Sequence, residues 1–506
     1  MFTKISTCCL LGTGGHPVTV ETDVSQGMPA FDVVGLPDAT VKEARERVRA
    51  AIKNCGYEFP PRRFTINLAP ADMKKVGNMF DLPVAAGILY ATEQAKGDAA
   101  DYILLGELSL AGEIRPVAGV LPLLLGAKEQ GFTKCIVPKE NAEEGALVRG
   151  MTVYGAETLS DAIKHLSGEK PLVPAKADAE ALLAEAVYSG GDFQEVKGQE
   201  NVKRALEIAA AGGHNILIVG SPGSGKSMLA QRLPSILPPM TVEEAIEVTK
   251  IHSAAGALSG KTLISTRPFR APHHSASTVG LAGGGQSAKP GEISLAHRGV
   301  LFLDELPEFH RDAMEVLRQP MEDGVVTITR AAASYTYPSD FMLVAAMNPC
   351  RCGYYGDKTH RCRCTASSIA RYAGKISGPL LDRIDIRVEA ETVTYGQFVS
   401  PKAESSADIR KRVTAARKLQ AERLKEEGVF CNAQISKDVE KYCVLTSEAA
   451  RMAKDAFSAM GMSIRGYTRV LKVARTIADL DGSEKINEMH IAEAVRYHLP
   501  QDRLSV

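Results

Sequence analysis

The stretch Ile216-Leu-Ile-Val-Gly220-Ser-Pro-Gly-Ser-Gly225-Lys226-Ser227 decides how the rest of the chain is read. Its apolar run predicts a buried parallel strand, its glycines a turn, and the following Met228-Leu-Ala-Gln-Arg-Leu the start of a helix. Gly220, four residues, then Gly225-Lys226-Ser227 has the spacing of a phosphate-cradling loop, in the strand–turn–helix setting that such a loop requires. Backbone N–H groups have to converge on phosphate oxygens, so side chains must be absent there, and the following helix turns its positive end toward the anion. Gly220, Ser221, Pro222, Gly223, Ser224, Gly225, Lys226, Ser227 and Met228 are therefore the candidate nucleotide-binding residues. Lys226 is expected to reach the β- and γ-phosphates of ATP, and Ser227 to hold Mg²⁺.

A second nucleotide signature follows at Gly299-Val-Leu-Phe-Leu-Asp304-Glu305, a buried strand with two carboxylates at its end. Asp304 is suited to Mg²⁺, directly or through water, and Glu305 to polarising the attacking water. The segment Phe193-Gln-Glu-Val-Lys-Gly-Gln-Glu-Asn-Val-Lys203 resembles the one that precedes the phosphate loop of AAA+ ATPases, where it helps seat adenine. That resemblance implies three further roles. Asn348, at the end of Phe341-Met-Leu-Val-Ala-Ala-Met-Asn348, is the sensor of the γ-phosphate or lytic water. Arg383, in Leu380-Leu-Asp-Arg-Ile-Asp385, is the arginine finger that acts on the neighbouring subunit. In Ser463-Ile-Arg465-Gly-Tyr-Thr-Arg469, the second sensor is Arg465 by first choice and Arg469 by second. A finger acting in trans implies a ring, usually a homohexamer.

The composition sets outer bounds. The 506 residues suffice for two to four domains. Lys+Arg and Asp+Glu balance at 60 each, so any surface for nucleic acid must be local. The start, Met1-Phe-Thr-Lys-Ile-Ser-Thr-Cys-Cys-Leu, reads as neither a secretion signal nor a membrane anchor, and no run approaches a membrane span. A cytoplasmic protein with reduced thiols is the expectation.

Before the motor, residues 1–170 alternate short strands and helices. Gly106-Glu-Leu-Ser-Leu-Ala-Gly-Glu-Ile-Arg-Pro-Val-Ala-Gly, the helix after it, and Ile136-Val-Pro-Lys-Glu-Asn141 resemble the proteolytic domain of Lon, as does Pro70-Ala-Asp-Met-Lys-Lys-Val-Gly77-Asn-Met-Phe-Asp81. Where that family carries its serine nucleophile this chain reads Gly77-Asn78-Met79-Phe80, and where it carries its lysine, Gly119-Val120-Leu121-Pro122-Leu123. Thioether and aliphatic groups neither attack a carbonyl nor take a proton, so the fold is implied and proteolysis is not. Residues 171–193, with Pro171-Leu-Val-Pro-Ala-Lys and Ser189-Gly-Gly-Asp, read as a hinge-like linker. The nucleotide-binding domain takes residues 194–391, and residues 392–506, amphipathic and helical, read as its lid. The fold class expected is α/β. An AAA+ P-loop module, a parallel sheet with helices on both faces plus a helical lid, follows an α+β Lon-protease-like domain.

The stretches between the nucleotide motifs narrow the family. Arg267-Pro-Phe-Arg-Ala-Pro-His273-His274-Ser-Ala-Ser, Gly280-Leu-Ala-Gly-Gly-Gly285 and Lys289-Pro-Gly-Glu-Ile-Ser-Leu-Ala-His297 resemble the magnesium-chelatase-like ATPases of the YifB/ComM family, essentially end to end. The resemblance implies a hexameric helicase that promotes branch migration of DNA during natural transformation. Within it, the loop at 280–285 has the flexibility of a pore loop. Gly324-Val-Val-Thr-Ile-Thr-Arg330-Ala-Ala-Ala-Ser-Tyr335-Thr-Tyr337-Pro reads as a hairpin of the kind that lines the channel of ring helicases. Arg330 is a candidate for phosphates and Tyr335 or Tyr337 for base stacking; a surface hairpin with half-buried tyrosines is the alternative. His273 and His274 invite a metal, but adjacent histidines point apart in a strand, and a structural or DNA-contacting role near the nucleotide is preferred.

Cys350-Arg-Cys352 and Cys362-Arg-Cys364 form two pairs that can close into a tetrathiolate knuckle for Zn²⁺, with His360 as a possible substitute ligand. Reduced, metal-free thiols are the alternative. Arg351, Arg361, Arg363 and Arg371 make this knob basic, so Arg351 and Arg363 join the DNA candidates. The function read from the residues is ATP hydrolysis; the resemblance, aided by the basic knob and the hairpin, implies that it is coupled to translocation on single-stranded or branched DNA. Its rivals are a protein remodeller, in which the first domain binds polypeptide, and a chelatase-like subunit.

Overall fold

The strand Ile216–Gly220 lies next to the edge of a five-stranded sheet, between Met342–Met347 and Ile386–Ala390, with Val300–Leu303 and then Phe269–Arg270 completing the other side. All pairings are parallel, Ile216 facing Val344 on one side and Ile386 on the other. The computed structural model describes residues 2–498 except 187, 189, 286–287, 331–333, 358–359, 394 and 399–402. The three central strands are buried throughout, which is why their sequences run apolar without alternation. Successive side chains still leave on opposite faces. Ile216, Ile218, Phe302 and Val344 enter a core with the helix Glu200–Gly212 and the carboxyl-terminal helices. Leu217, Val219, Leu303 and Ala345 enter a second core with Ala313, Met314 and Leu317. Helices thus cover both faces, as expected.

Asn215 ties the amino ends of these strands together. Its Oδ1 accepts from the Leu343 N–H at 2.8 Å and its Nδ2 donates to the Arg383 carbonyl at 3.0 Å. His214, fully buried, faces Asp385 at 3.3 Å and the Thr476 hydroxyl at 2.8 Å, which joins the sheet to the helix Ile464–Leu480. That helix packs with Ser406–Arg423, Ser447–Ala459 and Glu488–Arg496 into the helical region.

The amino-terminal region is a seven-stranded mixed sheet in the order Ala30–Val34, Arg63–Ala69, Gly14–Ser25, Phe2–Leu11, Tyr102–Leu104, Lys134–Pro138, Thr152–Ala156. A long antiparallel hairpin, Phe2 facing Asp23 and Leu11 facing Gly14, forms its middle. The helix Asp81–Ala91 is buried along almost its whole length. The buried carboxylate of Asp81 is taken by Arg47 through Nε at 2.7 Å and Nη2 at 3.0 Å. A buried charge left unpaired would cost several kcal/mol, on the order of 3–5, so this pair pins the helix in one place.

The expected hinge behaves otherwise in its first half. Leu172, Ala175, Ala177, Leu182 and Leu183 pack on the amino-terminal core, and the Ala175 N–H donates to the Val153 carbonyl at 2.8 Å. The apolar residues among the prolines supply the reason, because a free linker would leave them in water. Val187 and Ser189 of the same stretch lie outside the described residues. Met240, Ala245, Val248, Leu263 and Ile264, from the region after the phosphate loop, enter that core as well. Buried Glu144 accepts from the Leu121 N–H at 2.9 Å and from the Ser253 hydroxyl, tying the helix Val242–Ala255 to helices of the amino-terminal region. Burial raises the Glu144 carboxyl above its ordinary range, and hydrogen bonds from Ser253 and Leu121 act against that rise.

Candidate nucleotide and metal sites

The phosphate loop leaves the carboxyl end of Ile216–Gly220, where chain order across the sheet reverses direction, the place at which open α/β sheets bind ligands. Gly220 is packed so tightly that a Cβ would meet the Ala390 carbonyl at 2.6 Å. Gly223 and Gly225 have φ of +78° and +86°, which side chains rarely adopt, so the turn needs glycine on conformational grounds too. The helix Lys226–Arg232 begins at once. Pro222, Gly223 and Met228 face outward, while Ser221, Ser224 and Lys226 are buried. Ser224 Oγ, buried, has no hydrogen-bond partner among the described residues.

Lys226 Nζ donates to the Gly220 carbonyl at 2.7 Å, to the Ser221 carbonyl at 2.9 Å and to Asn348 Oδ1 at 3.2 Å. Burial lowers its pKa, and Asp304 and Glu305 pull it back. Ser227 Oγ donates to Asp304 Oδ2 at 2.6 Å, and Asp304 Oδ1 accepts from the Glu305 N–H at 2.9 Å. A hydroxyl and a carboxylate oxygen already converging suit a hard, oxygen-seeking cation such as Mg²⁺. Glu305 sits at φ +51°, in the left-handed region, with its carboxylate half in solvent. Residues widely separated in sequence, 226, 227, 304 and 348, thus meet at one sheet edge.

One of the two adjacent histidines lies at the nucleotide site itself. The His274 Nδ1 lies 3.7 Å from Glu305 Oε2 and its ring meets Phe309 edge-on. The expectation that the two histidines diverge in a strand is corrected. The strand ends at Arg270, and beyond Pro272 the chain turns, which brings the rings of His273 and His274 to 4.0 Å.

Arg383 lies elsewhere. It precedes Ile386–Ala390, whose Ala390 is level with Gly220, so it stands at the amino end of the strands, roughly 15–20 Å from its own phosphate loop at about 3.3 Å per residue. Its Nη2 meets Glu322 Oε1 at 2.5 Å and its Nη1 the Pro379 carbonyl at 2.6 Å. Arg465, exposed at the start of Ile464–Leu480, acts on the same Glu322, whose carboxyl is held low first by Arg383 and also by Arg465. Arg469 is buried, donating to the Ile384 carbonyl at 2.9 Å. Those bonds occupy Arg469 within the fold, whereas Arg465 is open.

The two channel candidates adjoin one another. Val325–Thr329 and Ser334–Pro338 form the expected hairpin, with Thr329 facing Ser334; Ala331–Ala333 at its tip lie outside the described residues. Arg330, exposed, donates to the Gly285 carbonyl at 2.8 Å. Tyr337 is buried, its hydroxyl donating to the Ala288 carbonyl at 2.6 Å, so it offers no open ring face. Tyr335 is half-buried, with Gly12, in the turn between Phe2–Leu11 and Gly14–Ser25, beside its Cβ.

Cys350, Cys352, Cys362 and Cys364 come together, with all four sulfurs within 4.8 Å of one another. Cys350 Sγ lies 3.4 Å from Cys352 and 3.7 Å from Cys362, and Cys352 and Cys362 are 3.6 Å apart. Sulfurs about 2.3 Å from a tetrahedral Zn²⁺ would be about 3.8 Å apart, so the set fits a four-thiolate ion. Backbone N–H groups of Arg363 and Tyr354 directed at Cys352 lower its thiol toward the thiolate form. His360 is exposed and stacks on Tyr354 at 4.7 Å. Arg351, Arg361, Arg363 and Arg371 are exposed around the cluster. Lys358 and Thr359 lie outside the described residues. Among the described residues, no helix is long and apolar enough to cross a membrane.

A parallel sheet with a glycine-rich phosphate loop, a following acidic strand end and a helical carboxyl-terminal region defines an AAA+-type nucleotide-binding protein. The sequence comparisons narrow that class. Family models match in succession: subunit ChlI of Mg-chelatase over residues 20–141, magnesium chelatase subunit ChlI over 192–398, and its ChlI C-terminal region over 403–498. The chain is 45% identical to YifB of Salmonella typhimurium over 97% of this chain and 96% of that one. It is 44% identical to the competence protein ComM of Haemophilus influenzae over 96% and 95%. It also shares 32% identity with the magnesium-chelatase 67 kDa subunit of Chlorobaculum parvum, over 31% of this chain and 23% of that one. The chain belongs to the YifB/ComM family of magnesium-chelatase-like AAA+ proteins.

Proposed function

We propose that this protein is a ring-forming ATPase that couples ATP hydrolysis to movement on DNA, in branch migration of single-stranded or forked substrates. The observation that carries the ATPase reading is the convergence of Lys226, Ser227, Asp304 and Asn348 at the phosphate loop. Backbone N–H groups of residues 221–227 would hold the phosphates, with Lys226 released from its carbonyl partners onto the β- and γ-phosphate oxygens. Mg²⁺, held by Ser227 and Asp304, would screen the charge that builds on those oxygens. Glu305 orients the attacking water, and Asn348 holds Lys226 or that water in line.

Arg383 stands too far from its own loop to act there, which favours a role on the nucleotide of the next subunit and hence a ring, for which a homohexamer is the expected form. Arg465, beside the same Glu322, would face that neighbour as well.

The DNA reading is supported by the likeness to a competence protein, by exposed Arg330 on a hairpin joined to the 280–285 loop, and by the basic cysteine knob with Arg351 and Arg363. Tyr335 is the remaining stacking candidate. We further propose that the amino-terminal region is a non-proteolytic scaffold, since Met79 and Phe80 are buried and Val120–Leu123 are buried apolar residues where a nucleophile and base would be needed.

ATPase rate with and without single-stranded and forked DNA, at low salt, tests the whole reading. Stimulation that disappears in Glu305→Gln and weakens in Arg330→Ala is the expected result. No stimulation by any DNA would sink the DNA reading, and stimulation by unfolded polypeptide instead would favour a remodeller.

A further inference from the structure

The cysteine cluster lies against the phosphate loop. Cys350 follows Asn348 by two residues, so the first pair begins where the Lys226 partner ends. The chain then turns at Gly353, φ +87°, where a Cβ would meet the Pro222 ring at 2.6 Å. Four residues later Asp357, its side chain 1% exposed, accepts from Ser221 Oγ at 2.6 Å. The same Asp357 oxygen accepts from Thr392 Oγ1 at 3.1 Å, and its other oxygen from the His360 N–H at 2.9 Å. The second cysteine pair then closes the loop, returning Cys362 to within 3.7 Å of Cys350.

Two residues of the phosphate loop, Ser221 and Pro222, therefore rest on a segment whose two ends meet at the four sulfurs. A tetrathiolate site without its ion has no covalent closure, and its sulfurs repel once ionised. All ten cysteines are free thiols, so no disulfide substitutes for that closure.

We propose that the four cysteines are a metal-dependent clasp on the phosphate loop: a bound thiophilic divalent ion of the zinc class holds Gly353 and Asp357 against Pro222 and Ser221 and so sets nucleotide affinity. The inference rests on reading the cluster as a metal site and goes beyond it, because a merely local knuckle would leave nucleotide binding untouched. It also makes the motor sensitive to zinc supply and to thiol oxidation. Release of the ion frees Asp357, and the loop loses the support that keeps its N–H groups convergent.

The test uses the full chain. Zinc is quantified per chain, and the affinity for a fluorescent ADP analogue is measured as purified, after dialysis against a chelator, and after Zn²⁺ is restored. One zinc per chain, a tenfold or greater weakening on its removal, and recovery on its return are expected. Asp357→Ala is expected to keep its zinc and still bind nucleotide at least fivefold more weakly; Cys362→Ser is expected to lose both. If zinc is present but its removal leaves affinity within twofold, or if Asp357→Ala binds like the unaltered chain, the clasp is overturned and the metal site stands. If the protein as purified binds no zinc and yet binds nucleotide at full strength, the metal reading and the clasp fall together.

Discussion

Asn348 Oδ1 accepts a hydrogen bond from Lys226 Nζ at 3.2 Å, across 122 residues of sequence. The loop lysine is thereby held at the mouth of the site by the side chain at the end of the neighbouring strand. Asn348→Ala should lower the ATPase kcat by at least tenfold, because the lysine and lytic water lose a positioning partner, while nucleotide affinity changes by less than about threefold. Steady-state kinetics alongside equilibrium binding of an ATP analogue separates the two effects. Equal losses in both would assign Asn348 to binding alone.

His274 is the group beside Glu305, at 3.7 Å. Replacing it with alanine frees the carboxylate to rotate, and a several-fold drop in kcat with unchanged nucleotide affinity is expected. His274→Gln, which keeps a polar contact, should recover part of the rate. A His274→Ala enzyme that hydrolyses ATP at the native rate would remove this residue from the site.

Arg383, at the amino end of its sheet's strands and paired with Glu322, is the residue proposed to act on a neighbour's nucleotide. Arg383→Ala and Lys226→Ala chains, each inactive, should regain measurable ATPase when mixed, since a Lys226→Ala subunit still presents its arginine to an intact site. A mixture no more active than its parts would contradict action in trans.

Glu247 joins the helix Val242–Ala255 to the strand region through His297 at 3.1 Å and Arg298 at 3.2 Å. The close contact with His297 leads, with Arg298 adding to it, in holding the Glu247 carboxyl down at about 2. A carboxylate whose folded pKa is depressed stabilises the fold above its unfolded pKa and loses that contribution as pH falls toward the folded one. Glu247→Gln should therefore unfold at lower urea than the unaltered chain at pH 7, with the gap narrowing below pH about 4.5 toward about 2. A gap independent of pH would mean that Glu247 acts by packing and not by charge.

Much of the nucleotide-binding region is legible in sequence because its signals are local. A phosphate loop needs a buried strand, glycines at positive φ and a helix start within a dozen residues, and all are written between Ile216 and Arg232. The continuous apolar runs at 300–303 and 342–347 declare strands buried on both faces for the same reason. The hairpin around Arg330 and the pairing of Cys350 with Cys362 also follow from short-range pattern.

Burial and long-range partnership are another matter. Tyr335 and Tyr337 look equivalent along the chain, yet Tyr337 points into the core and Tyr335 toward Gly12. Residues 172–183 read as a bridge, but their apolar side chains find the first sheet's core within reach. His274 is brought to Glu305, and Asp357 to Ser221, by strand order and by a loop closed on itself. Periodicity and spacing specify what a segment can form by itself. Which side chains from distant segments share a site depends on how the sheet orders its strands, since hydrophobic burial fixes that order without any one residue announcing its partner.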